Sequence, residues 1–174
     1  MESNSKKTLK TEKDAQRFEL VAETIKAIRC LITSNWDETR IVKALISSKV
    51  DLTVIAQALG SVNWPDDKVA QTLIEALWPG SEKTIVGQPV PQIQVAKTLK
   101  AIGWDNLRII LAIKASDTSL GNISLALALR ELKMSDDVEV VKNLKAAGVQ
   151  DSDLSKILEV LPWDDARIAR AISA

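Results

Sequence analysis

The stretch NWDETRIVKAL, Asn35 to Leu45, recurs with variation as NWPDDKVAQTL from Asn63, GWDNLRIILAI from Gly103 and PWDDARIARAI from Pro162. Each copy places a tryptophan second. The residue after it is Asp37, Asp105 or Asp164, a side chain suited to N-capping a helix. Five positions beyond the tryptophan lies Ile41, Val69, Ile109 or Ile168, and nine beyond lies Leu45, Leu73, Ile113 or Ile172. An apolar residue ahead of a cap, packing on the fourth helical position, is a hydrophobic staple. The later positions continue one apolar face at helical spacing. This pattern predicts a helix after every tryptophan, with the indole setting how the chain enters it. Pro65 follows Trp64 in the second copy. Proline suits a first helical turn, so that start is expected to shift by one residue.

Reading backwards, Leu31, Leu59, Leu99 and Leu158 lie five positions before each tryptophan, and Val62, Ile102 and Leu161 lie two before. A second helix is therefore expected ahead of each tryptophan. A fifth, degenerate copy, SDDVEVVKNL, aligns Ser135 with the indole position. The expected helices lie near 15–33 and 37–48, 51–60 and 65–77, 92–102 and 105–115, 119–132 and 136–147, and 152–161 and 164–173. Between the second and third pairs, WPGSEKTIVGQPVPQ carries two glycines and three prolines, the chemistry of a loop insertion at 78–92. Helices this short are marginal alone in water, and stacked neighbours supply the missing burial. The fold class that follows is all-α: about ten short helices in five helix–Trp corner–helix repeats, stacked as a short α-solenoid or closed into a compact helical bundle. Residues 1–14 read as a disordered basic tail, and 15–174 as one domain.

Composition narrows the chemistry. Lys and Arg total 23, equal to Asp and Glu, so no net field draws in nucleic acid or an anionic membrane. The chain contains no histidine, which removes the commonest general base and most zinc schemes. Its one cysteine, Cys30, sits in IKAIRCLI and reads as a buried structural thiol. The polar start, MESNSKKTLKTEKDAQ, leads us to expect no signal peptide. Runs such as IILAI and LALAL are too short to span a bilayer. No phosphate-binding glycine motif is present. The pairs Asp66–Asp67, Asp136–Asp137 and Asp164–Asp165 fall in first helical turns, where negative charge suits the dipole. No catalytic, metal or cofactor residue is assigned, and no enzyme is expected.

Candidate partner-binding residues remain. Arg40, Lys68, Arg108 and Arg167 all lie four past a tryptophan, with Glu139 breaking the column in the degenerate copy. Together they form a ridge for an acidic protein or a phosphate backbone, unless each pairs with its own capping aspartate three residues earlier. Trp78 falls outside the corner pattern: either it folds back to cap the second pair, or it is presented to a partner as an anchor on the insertion. LKAIGWDNLRIILAIKASDTSLGNISLALAL, with its helix, Gly103–Trp104 loop and following helices, resembles a ubiquitin-associated domain over about 40 residues. That resemblance implies a ubiquitin-like partner contacting Gly103–Trp104. The other copies carry Asn35, Asn63 or Pro162 in place of Gly103. The functional expectation is a cytoplasmic, non-enzymatic adaptor or regulatory subunit binding another protein. Nucleic acid is the alternative partner, and no membrane contact is expected.

Overall fold

The computed structural model describes residues 2–78, 91–116, 125, 128, 129, 132 and 136–173, with side chains from residue 12 onward. The described residues are all-helical and contain no strand. The helices are α1 (Glu2–Thr33), α2 (Glu38–Ser47), α3 (Leu52–Ser61), α4 (Asp66–Leu77), α5 (Pro91–Ala101), α6 (Asn106–Ser116), α7 (Asp137–Ala146), α8 (Asp151–Leu158) and α9 (Asp165–Ser173). Helix α1 begins at Glu2, so the residues that read as a disordered tail are continuous with the first helix. Residues 79–90 of the expected insertion lie outside the described residues, while Pro91 and Gln92 open α5. Of the helix expected near 119–132, Leu125, Ala128, Leu129 and Leu132 are described; all four are helical and buried.

The chain divides into two compact units, Met1–Trp64 and Pro65–Ala174. In the first, α1 packs chiefly on α3, and α2 touches both. Val21, Thr24 and Ile28 of α1 are buried together with Ile41, Val42 and Leu45 of α2 and Val54, Ile55, Ala58 and Leu59 of α3. Cys30 is exposed, contrary to the expectation of a buried thiol. The inward face of α1 follows positions 21, 24 and 28, and two residues past Ile28 the helix has turned that side chain away. In the second unit α4, α5 and α6 pack mutually, α7 packs on α6, and α8 and α9 complete the set against α7. Leu73, Leu99, Ile109, Ile113, Leu144 and Leu154 are fully buried there. The heaviest packing joins alternate helices, α1 with α3 and α4 with α6.

The corners share one backbone device. Asn35, Lys49, Asn63, Gly103 and Gly148 all have positive φ, and each ends a helix. Asn35 N–H donates to Ile32 O at 3.0 Å and Trp36 N–H to Leu31 O at 3.1 Å. Gly103 and Trp104 repeat the pattern onto Lys100 and Leu99, at 3.1 Å each. These are Schellman closures, in which the residue after the left-handed position meets the one five before it. Leu31 and Leu99, five before Trp36 and Trp104, are thus their partners in helix termination. Lys49–Val50 and Gly148–Val149 close α2 and α7 in the same way. Among the described residues, Trp36, Val50 and Trp64, and likewise Val149 and Trp163, follow helix ends at intervals of 14 residues.

Trp78 lies 14 residues beyond Trp64 and caps α4, its N–H donating to Ile74 O at 3.0 Å. That bond spans four residues, unlike the five-residue closures at Trp36 and Trp104. The start of α4 is not shifted. Asp66, like Glu38, Asn106 and Asp165, stands two past its tryptophan, and Pro65 takes the cap position without a side-chain hydrogen bond. At the fifth tryptophan Pro162 cannot adopt positive φ, and Trp163 N–H instead donates to Leu161 O at 2.8 Å.

Candidate functional site

The basic column is the strongest chemical signal in the sequence, and the structure places its members at N3 of the post-corner helices. There the backbone N–H of Arg40, Arg108 or Arg167 donates to the carboxylate of Asp37, Asp105 or Asp164, at 2.8, 2.8 and 2.7 Å. The guanidinium lies over the indole four residues earlier: Arg40 over Trp36 at 4.1 Å, Arg108 over Trp104 at 3.8 Å and Arg167 over Trp163 at 4.5 Å. These are cation–π stacks. A cation at N3 opposes the helix dipole, so local helix physics alone does not account for it.

A distant partner does. The Nε and Nη2 of Arg108 donate to the two oxygens of Asp66 at 2.6 and 2.7 Å. Arg167 grips Asp137 the same way, at 2.6 Å through both nitrogens. Planar guanidinium and carboxylate match in this two-point geometry. Each acid is the first residue of another post-corner helix, so the fork joins α6 to α4 and α9 to α7 with their N-termini side by side. The carboxyl of Asp137 is held below its usual range, first by the Arg167 hydrogen bonds and then by the charges of Arg167 and Arg170. Arg108 and Arg167 are pushed above theirs by their acids.

Spacing alone allows each arginine either to pair with its own cap or to stand free. The cap aspartate instead takes the backbone N–H, and the side chains of Arg108 and Arg167 reach the neighbouring helix. The joint between α6 and α7 lacks both halves at once: Glu139 replaces the arginine, and Asn106 replaces the acid and accepts from Lys100 Nζ at 2.8 Å. Loss of donor and acceptor together supports their acting as a pair. A different tie occurs there, Lys114 Nζ of α6 donating to Ala147 O at the end of α7, where a cation complements the dipole.

Neither protein-family models, nor curated proteins, nor solved structures match this chain. Its function is therefore argued from its own surface. Lys68 is half-buried beside Asp67 in the first turn of α4, and Trp78 is half-buried. Trp104 is 7% exposed beneath Arg108, leaving little of the ring for a ubiquitin-like partner. Among the described residues no group of three or more carboxylates or thiols could hold a metal ion, and no helix is long and apolar enough to cross a membrane.

Sequence reasoning misses an open groove of about 270 Å³ between α7 and α9, lined by Val138, Val141, Lys142, Lys145, Ala171 and Ile172. Val138 is 44% exposed there. The signal lies in VEVVK, where Val138, Val140 and Val141 are too many apolar residues for one narrow face.

Proposed function

We propose that the chain is a non-enzymatic, cytoplasmic adaptor or regulatory subunit that binds another protein through the groove between α7 and α9. One observation supports this reading: apolar Val138, Val141, Ala171 and Ile172 line an open groove that also holds two exposed lysines, Lys142 and Lys145. Apolar floor and cationic flank suit an amphipathic helix with acidic residues beside its apolar face. Lys145 reaches Asp151 at only 3.5 Å, so its charge is weakly engaged. The engagement of Arg108 and Arg167 in forks removes half of the basic column from any phosphate ridge.

The test is affinity capture from the native host with wild type and Val138→Glu, followed by titration of the retained protein. That side chain is exposed, so the substitution leaves the core intact. The expected result is a protein held by wild type, lost with Val138→Glu and weakened by Lys142→Glu. Identical retained sets with all three chains would sink the reading.

A further inference from the structure

Each fork between helices has two halves, and burial marks both. On the donor half an arginine stacked on tryptophan is followed four residues later by an alanine: Ala112 after Arg108 and Ala171 after Arg167, 2% and 3% exposed. On the acceptor half the first-turn aspartate is followed four residues later by Ala70 or Val141, 0% and 4% exposed. Four residues is one helical turn, so each pair lies on one face.

Two half-joints are left over. Arg40 is exposed over Trp36 and its guanidinium has no carboxylate partner among the described residues, and Ala44, one turn on, is only half-buried where its counterparts are covered. Asp165 at the start of α9 is exposed with no side-chain partner among the described residues, and Ala169, one turn on, is exposed where Ala70 and Val141 are not. The first is a complete donor half and the second a complete acceptor half.

We propose that the occupant of both faces is a second copy of this chain: Arg40 of one molecule forks onto Asp165 of the next, setting α2 beside α9 as α6 sits beside α4. The charges are opposite, and the chain makes the same joint twice within itself. The contact is heterologous, each copy offering a different face, so it propagates head to tail. It is separate from the groove between α7 and α9, and neither Val138 nor Lys142 takes part.

Sedimentation of the full chain up to about 1 mM, the range of a weak contact, tests this. The mean mass is expected to rise with concentration and to fall back with added salt. Arg40→Asp and Asp165→Arg should each abolish growth alone. Mixed together they should grow again in alternation, since every junction then joins opposite charges, the wild-type pair at one face and the reversed pair at the other. The double variant should regain growth with polarity reversed. Circular dichroism checks each fold, and Arg40→Gln with Asp165→Asn replaces any reversal that unfolds. A wild type that stays monomeric throughout, growth indifferent to either single change, or a mixture no larger than its parts overturns the proposal.

Discussion

Arg108 holds Asp66 by two hydrogen bonds across 42 positions of sequence while its guanidinium rests 3.8 Å from the Trp104 ring. One side chain thereby ties together a corner, a helix start and a neighbouring helix. Because Arg108 and Asp66 are 45% and 42% exposed, solvent screens the pair, and its worth is that of a good surface interaction rather than a buried one.

Arg108→Ala should therefore destabilise the second unit by about 1 kcal/mol, combining a modest ion pair with a cation–π stack. Arg108→Lys should recover only part, because an ammonium cannot fork or lie flat on indole. Urea denaturation of Arg108→Ala, Asp66→Asn and the double variant gives the coupling. Strict additivity would show that the two residues do not interact.

The Asp137–Arg167 fork carries a pH signature. Its carboxyl titrates below the unfolded value of about 3.9. The folded state thus binds that proton less readily than the unfolded one, and the stabilisation is full above the unfolded pKa and lost as pH falls through the lower folded value. Asp137→Asn should show less stability than wild type at neutral pH, with the gap closing below about pH 4. A gap independent of pH over thermal melts from neutral to acid would refute the assignment.

Backbone conformation makes opposite predictions at two corners. Gly103 has φ +91°, and nothing stands within 4 Å of the place a Cβ would take, so Gly103→Ala should cost about 1 kcal/mol from backbone strain alone. Lys49 already occupies φ 61°, so Lys49→Gly should gain about 0.5 kcal/mol or more by relieving it. Chemical denaturation reads both, and a loss at Lys49→Gly would contradict the account.

Trp104 is 7% exposed and Trp36 only half-buried. Trp104→Ala should cost about 3–5 kcal/mol, as large-to-small core changes do, and Trp36→Ala distinctly less. Equal losses would mean that the two rings contribute alike despite their burial.

The Cys30 thiol faces out of α1. A thiol-specific reagent should modify the native chain to one equivalent without denaturant. Labelling that requires urea would restore the buried thiol that the sequence pattern implies.

Helix existence, helix order and corner position can all be read from the chain because they depend on neighbours within a few residues. A capping aspartate acts on N–H groups two or three positions on, and an apolar stripe of period 3.6 is a local property. Asp37, Asp105 and Asp164 do bind the N3 backbone, as local chemistry demands. Even the terminating residues are visible in the sequence, at Asn35, Asn63 and Gly103, although only the positive φ angles show what they are for.

The destinations of the arginines are not legible in that way. Arg108 has Asp105 three residues away and Asp66 forty-two away, and one-dimensional proximity favours the wrong carboxylate. Packing reverses the choice, because placing two helix N-termini side by side lets a planar guanidinium meet both oxygens of the remote acid while covering an indole face. Which face of α1 meets α3 likewise decides that Cys30 points outward, and the fit of α7 on α9 leaves the groove at Val138 open. Local spacing settles which segments coil and where they bend; which side chains those coils bring face to face is a property of burial between segments that no spacing records.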